Sequence, residues 1–276
     1  MVPLEYLLKF IDEDAPFGDV TSESIIPDVS CRAVIRAEQD GIAAGLDEAA
    51  ALFSHFGVDV QQDARYGETV KSGAVLLSIS GPAKKILLVE RTALNIIGRM
   101  SGIATETRNL VDLVLGENPR CRVAGTRKTC PGLRALDKKA VVLGGGDPHR
   151  SSLSDGVLIK DNHLLLVTVE EAITRAKAAS VYRKIEIEVE NADDALAAAR
   201  AGADILLFDN MTPDGVRETI HELEQAGLRD RVTIELSGGI TAGTIREYAR
   251  TGADVISLGA LTHTVRNFSV TLEILK

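Results

Sequence analysis

One short span of this 276-residue chain is rich in side chains that can carry positive charge, among them Arg127, Lys128, His149, Arg150 and Lys160. The span runs from 121 to 163 and reads CRVAGTRKTCPGLRALDKKAVVLGGGDPHRSSLSDGVLIKDNH. Its two outer runs, 121–124 and 156–159, are apolar enough for strands, and each ends in charge. Thr126-Arg127-Lys128 follows the first, and Lys160-Asp161-Asn162-His163 follows the second. A strand that delivers cations at its C-terminal end builds an anion site. Arginine forks match planar carboxylates, while lysine adds a compact charge. A solvated basic surface is the plain alternative, but the formal net charge of −9 makes so local a cluster unlike a by-product of composition.

Two further chemistries lie downstream. Glu186, Glu188 and Glu190 alternate on one strand, and Asp209 ends the next. Glu188 and Asp209 suit Mg²⁺, held directly or through water, or ribose hydroxyls. Alternating glutamates also mark solvated strand faces, although solvation is hard to arrange inside a barrel. Ser237-Gly238-Gly239 and Gly259-Ala260-Leu261-Thr262-His263 close the last two strands. Backbone N–H groups exposed there can cradle a phosphate, whereas Gly-Gly after a strand is also an ordinary turn. No nucleophile–base pair and no zinc spacing stands out, which favours electrostatic stabilisation and positioning over covalent catalysis.

Positioning these groups requires a regular frame. From residue 120 the sequence alternates strands (121–124, 156–159, 184–189, 204–208, 232–236, 254–258) with helices (near 131–143, 168–179, 192–201, 213–226, 242–251). Gly202-Ala203-Asp204 and Gly252-Ala253-Asp254 repeat one strand entry. Repeated βα units imply a parallel sheet, and reactive residues at strand ends favour a barrel. Six strands leave that barrel incomplete; a doubly wound open sheet is the alternative. No GxGxxG follows the first strand, which argues against a Rossmann nucleotide site.

Upstream, leucine and isoleucine spacing predicts a helix over 4–13 that stops near Ala15-Pro16. An acidic turn at 17–21, a strand over 31–37, a turn at 41–45, a helix over 46–56 and a strand over 74–79 suggest a small half-barrel or sandwich. A long helical stretch starts after Gly81-Pro82, with Ile86, Val89, Ala93, Ile97 and Met100 on one buried face. Ser101-Gly102 predicts a break, and 106–115 a connector. Arg91, Arg99 and Arg108 read as surface charge, with Glu90-Arg91-Thr92 weakly suggestive of more.

Composition narrows the class. Apolar content of 45% and charged content of 26% are those of a soluble globular protein. No run of about 18 uncharged apolar residues predicts a membrane span, and the acidic start lacks the marks of a secretion signal. Cys31, Cys121 and Cys130 leave one thiol unpaired in any scheme and show no CxxC spacing, which points to reduced thiols and a cytoplasmic protein. The acidity and the lack of a basic patch argue against nucleic acid.

The stretches EDAPFGDVTS, ERTALNIIGRMSGIAT, GTRKTCPGLRALDKKAVVLGGGDPHR, LIKDNH, IEIEVEN, LLFDNM, ELSGGI and ISLGALTH closely resemble the nicotinate-nucleotide pyrophosphorylase family, the decarboxylating quinolinate phosphoribosyltransferases, over nearly the whole chain. The resemblance implies an α/β fold: an N-terminal α/β sandwich domain with a connector helix (1–115), an open or incomplete TIM-like α/β barrel (116–267) and a tail (268–276) returning to the first domain. It implies transfer of phosphoribosyl from phosphoribosyl pyrophosphate to quinolinate, giving nicotinate mononucleotide, pyrophosphate and CO₂, with Mg²⁺. Arg127, His149, Arg150 and Lys160 would hold the quinolinate carboxylates. Lys128 would line the same pocket near the sugar pyrophosphate and, with Glu188 and Asp209, form the catalytic set; the two acids would also serve ribose and metal. Ser237, Gly238, Gly239, Gly259, Ala260 and His263 would receive the 5′-phosphate. Arg91 would cross from a neighbouring subunit, making the protein a homodimer with shared sites, or a hexamer as in some members.

Gly125 stands where aspartate commonly precedes Thr-Arg-Lys-Thr, and Pro148 where asparagine is usual; both bear on loop geometry. A molybdenum-uptake-associated paralogue, a nicotinate-specific transferase and a non-catalytic phospho-ligand sensor are the competing readings. The Lys160–His163 run and the full cationic set favour the quinolinate enzyme over the paralogue, and retention of both the acidic pair and the cationic pocket weighs against the sensor.

Overall fold

The computed structural model describes residues 2–275, so Lys276 at the end of the expected tail lies outside the described residues. In chain order the elements are α1 (Leu4–Asp14), α2 (Val20–Ile25), β1 (Ser30–Ala37), β2 (Gly41–Ile42), α3 (Leu46–His55), β3 (Asp59–Gln62), β4 (Thr69–Val70), β5 (Val75–Pro82) and α4 (Ala83–Leu115). There follow β6 (Arg122–Ala124), α5 (Arg134–Leu143), β7 (Val157–Ile159), α6 (Asp161–Leu164), α7 (Val169–Ala179), β8 (Ile185–Val189), α8 (Ala192–Ala201), β9 (Ile205–Asp209) and α9 (Pro213–Gln225). The chain closes with β10 (Thr233–Ser237), α10 (Ile245–Ala249), β11 (Val255–Ser257), α11 (Ala260–His263) and β12 (Val270–Leu275). Two compact units interleave in sequence: Met1–Arg108 with Cys130–Gly145 and Leu261–Lys276, and Asn109–Thr129 with Gly146–Ala260.

The first unit is built on a four-stranded sheet in the order β12-β1-β5-β3, antiparallel throughout, with β2 and β4 forming a separate pair. Helix α1 buries Leu7 and Ile11 and ends at Ala15, before Pro16. Where the sequence suggests only an acidic turn, Asp19 accepts the Thr21 and Ser22 amides and starts α2. Strand β3, DVQQ, is polar and mostly exposed, so the sequence carries no apolar signal for it.

The expected break at Ser101-Gly102 does not occur: α4 is continuous. Ile86, Val89, Ala93, Ile97 and Met100 are all fully buried on one face, as their spacing predicts. Ser101 is buried as well, and its hydroxyl both accepts from the Ala44 amide (2.9 Å) and donates to the Ala44 carbonyl (3.1 Å). Gly102 makes room for a neighbouring backbone: a Cβ there would lie 2.1 Å from the Arg266 carbonyl oxygen. Just beyond, the Phe268 amide donates to the Gly98 carbonyl at 2.8 Å, and the chain runs on into β12 beside β1. Arg99 is not surface charge: its guanidinium grips fully buried Asp137 through two bonds (2.7 and 2.9 Å) and donates to the Thr262 carbonyl (3.1 Å). Breaking a buried pair of this kind costs about 3–5 kcal/mol.

The second unit holds six parallel strands in the order β6-β11-β10-β9-β8-β7. This is the sequence order closed into a ring, with the first strand paired to the last and an opening between β6 and β7. The fold is an α/β open barrel, with one bridge, Ala124 to Asp147, extending β6. The repeated Gly-Ala-Asp entries acquire a purpose. Asp204 accepts the Ile185 amide that begins β8, and Asp254 accepts the Ile234 amide in β10, both at 2.8 Å. Each aspartate thereby fixes the start of the strand beside its own. The helix expected over 242–251 is shorter, because a turn occupies its first residues before α10.

Gly102→Ala should lower unfolding stability by about 1–3 kcal/mol, because the helix and the 266–268 backbone must separate. Gly243→Ala, whose Cβ would meet nothing nearer than 3.7 Å, should stay within about 0.5 kcal/mol of the parent. Urea midpoints of the two variants check this.

Candidate functional site

A cavity of about 650 Å³ opens at the C-terminal ends of the parallel strands, and all its lining residues come from the second unit. It brings together Arg127, Lys128, His149, Arg150 and Lys160 with Glu188, Asp209 and Ser237. Ser237 ends β10 and pairs in register with Asp209 at the end of β9. Gly238, Gly239, Gly259 and Ala260 follow these strand ends without lining the cavity. Arg91 and His263, both exposed, belong to the first unit.

The cations are held differently. The Arg127 Nε is buried and has no hydrogen-bond partner. Arg150 donates to the Gly156 carbonyl at 3.2 Å. Burial, then the neighbouring charge of Arg127, pulls the Arg150 guanidinium below its ordinary pKa, against the attraction of Glu186, Glu188 and Asp155. Lys160 pairs with Glu188 across β7 and β8, while exposed Lys128 has its amide held by the Thr126 hydroxyl. Arg127 lies close enough to disfavour the Arg150 charge, and the two together, one with a spare donor, form a receptor for an anion.

Asp209 accepts from the Asn210 side-chain amide at 2.7 Å. Asn210 is left-handed (φ 55°), and its amide donates to the Ser237 carbonyl at 2.9 Å. Gly238 is also left-handed (φ 91°), and a Cβ there would fall 2.3 Å from Asn210 Oδ1. Gly238 is therefore required where β10 turns past Asn210, whatever ligand its amide meets.

Among the polar lining residues, the sequence reading missed Asp194, Glu235 and Ser257. Glu235 is the one acid within the otherwise apolar and hydroxyl run TIELS. Parallel strands are covered on both faces, so an acid inside one must face the barrel interior; that was the available signal. Glu235 and Glu186 are both buried, and His149 Nε2 lies 3.4 Å from Glu235 Oε1 and 3.6 Å from Glu186 Oε2. Burial opposes a charge on this ring, and the two carboxylates more than offset it, which by itself would push His149 up to about 9. The Arg150 amide, however, donates to Nδ1 at 2.8 Å and needs a lone pair there. That bond favours the neutral ring with its proton on Nε2, facing the acids. Burial, then the charge of Glu235, raises the Glu186 carboxyl, while His149 and Arg150 lower it. The three groups lie close enough to hold a cation, but a proton on Nε2 and the Arg150 charge nearby disfavour one.

Gly238→Ala combines a left-handed backbone with a clash and should cost about 1–3 kcal/mol. Gly239→Ala, left-handed (φ 62°) but in open space, should cost only the backbone share of about 1–2 kcal/mol. Urea denaturation of each variant measures the difference.

Comparison with known proteins places these features in context. The family description "Quinolinate phosphoribosyl transferase, N-terminal domain" matches residues 19–101, and its C-terminal counterpart matches 103–273. The "Probable nicotinate-nucleotide pyrophosphorylase (carboxylating)" of Methanothermobacter thermautotrophicus is 42% identical over 275 residues, covering 98% of either chain. The nicotinate-nucleotide pyrophosphorylase (carboxylating) of Dictyostelium discoideum is 33% identical over 99% of this chain and 96% of its own. Among solved structures, the nicotinate-nucleotide pyrophosphorylase of Ehrlichia chaffeensis superposes with a TM-score of 0.93 at 30% identity, covering 100% of this chain and 99% of that one. No helix among the described residues is long and apolar enough to cross a membrane.

Proposed function

The chain belongs to the quinolinate phosphoribosyl transferase family, and from that premise we infer that it converts quinolinate and phosphoribosyl pyrophosphate to nicotinate mononucleotide, pyrophosphate and CO₂ in NAD biosynthesis. It is a pentosyltransferase. The observation that carries this reading is the Arg127–Arg150 pair, with a buried donor of Arg127 unpartnered at the cavity. A planar dicarboxylate supplies an acceptor for the Arg127 fork and a counter-charge for both arginines.

The residues then divide the work. Arg127, Arg150 and Lys160 hold the quinolinate carboxylates, on the wall completed by His149. Lys128 lies towards the pyrophosphate. As pyrophosphate leaves the ribose C1, positive charge develops there, and Glu188 and Asp209 stabilise it. The ring nitrogen of quinolinate attacks C1; the positive nitrogen so formed stabilises the electron pair left on C2 when the 2-carboxylate departs as CO₂, and a proton from water then takes that pair to give the C2–H of the product. Ser237, Gly238, Gly239, Gly259, Ala260 and His263 receive the 5′-phosphate. The donor set suits Mg²⁺: Glu188 and Asp209 are hard oxygen ligands that leave most positions to water and pyrophosphate oxygens. When bound there, Mg²⁺ neutralises charge on the leaving pyrophosphate.

We further propose a homodimer in which Arg91 of each copy completes its partner's site. Arg91 is exposed on α4, and Phe17, Val20, Ile25 and Val29 present an apolar face around α2 that a second copy would cover. Three free cysteines suit a reducing, cytoplasmic setting.

Incubation with quinolinate, phosphoribosyl pyrophosphate and Mg²⁺ should release nicotinate mononucleotide and CO₂ in equal amounts; absence of both overturns the assignment. Charge-assisted bonds are worth about 1.5–3 kcal/mol, so Arg127→Ala or Arg150→Ala should cut kcat/KM for quinolinate roughly 10- to 150-fold. Mixing the weakened Arg91→Ala and Arg127→Ala proteins should raise activity above that of either alone, because mixed dimers contain one intact site; no recovery after subunit exchange removes the shared-site proposal.

A further inference from the structure

We propose that Glu186 and Glu235 are positioning residues that act through His149 on Arg150, and that the His149 ring serves Arg150 rather than the substrate. This rests on the quinolinate reading of the cavity, and it reassigns one residue within it.

The two acids occupy an unusual place. In a parallel barrel, alternate strands fill the interior in layers, normally with branched apolar side chains. Here β8 and β10, on either side of β9, contribute Glu186 and Glu235 instead. They are 5% and 4% exposed, and Oε1 of each lacks a hydrogen-bond partner. Two buried carboxylates near one another are costly unless a donor lies between them. The Nε2 edge of His149 lies within ion-pair range of both, 3.4 Å from Glu235 Oε1 and 3.6 Å from Glu186 Oε2, without a hydrogen bond to either Oε1.

The other edge of the ring faces the chain. Nδ1 accepts the Arg150 amide at 2.8 Å, and the His149 amide donates to Asp147 Oδ1 at 2.9 Å. His149 has a left-handed backbone (φ 56°), a strained state for a non-glycine residue that its surroundings must impose. Nδ1 is therefore committed to the chain, while the Nε2 edge faces the two acids. The acids orient the ring, the ring holds the Arg150 amide, and the next amide along, that of Ser151, donates to Asp155 at 2.6 Å. Glu235 thus controls quinolinate capture without touching quinolinate.

The test uses the full-length protein and four substitutions: Glu235→Gln, Glu235→Leu, His149→Ala and Arg150→Ala. Glu235→Gln keeps an acceptor oxygen and should stay within threefold of the parent. Glu235→Leu should raise KM for quinolinate about tenfold and leave KM for phosphoribosyl pyrophosphate and the melting temperature near the parent values. The double variant His149→Ala/Arg150→Ala should be no worse than Arg150→Ala alone, since both changes act on one contact. A double variant whose loss is the product of the single losses means that His149 binds substrate independently, and overturns the proposal. Equal rises in both KM values together with a lowered melting temperature reveal a merely structural role, and overturn it as well. A substrate-free readout separates this inference from the quinolinate reading. Hydrogen exchange at the Arg150 amide should be slow in the parent and fast in Glu235→Leu; fast exchange in the parent defeats the relay even if quinolinate is consumed. Slow exchange in a parent that does not consume quinolinate defeats the functional reading and leaves the relay standing.

Discussion

The site depends on one pairing: β6, the first strand of the parallel sheet, lies against β11, the last. That pairing bends six strands into a ring and leaves the opening between β6 and β7. Arg127 and Lys128 follow the strand on one side of the opening, and Lys160 follows the strand on the other, with His149 and Arg150 in the chain between them. A closed barrel would replace the opening with backbone hydrogen bonds. An open one lets the connecting segment supply charge to the cavity. The local register is secured by Asp204 and Asp254, each binding an amide near the start of an adjacent strand, so that Ser237 finishes level with Asp209 and Glu188 lies opposite Leu207.

Much of this was legible in the sequence because buried parallel strands have a plain signature. All six strand candidates after residue 120 appear within a residue or so of their expected ends. The gathering of Arg127, Arg150, Lys160, Glu188 and Asp209 followed from reading which residues leave those strands. The errors have one physical source, which is partners distant in sequence. Gly102 resembled a hinge because the Arg266 carbonyl that occupies its missing side chain lies far along the chain. Arg99 resembled surface charge because Asp137 belongs to another helix. Glu235 was passed over because one acid in an apolar strand has no local pattern, and its partner His149 is bound by two strands at once.

Charge in this protein is arranged by compensation at short range. The formal charge of −9 surrounds a cavity whose arginines repel one another. Glu188 answers Lys160, and the spare Arg127 donor is left for a ligand. A long-range negative field does not exclude an anionic substrate when the local cations sit at strand ends in a low-dielectric wall. Specificity then rests on the geometry of a few forks.

The pairing of β12 with β1 has a consequence for biosynthesis. These strands lie near opposite ends of the chain, and β1 is central in its sheet, between β12 and β5. During translation β1 can pair with β5 early, but its other edge stays unpaired until β12 leaves the ribosome. Strand β6 waits likewise for β11. Contacts so far apart slow folding and leave exposed strand edges in the nascent chain. Truncation of only a few C-terminal residues would therefore act less like loss of a tail than like release of an unfinished sheet, open to association with other chains.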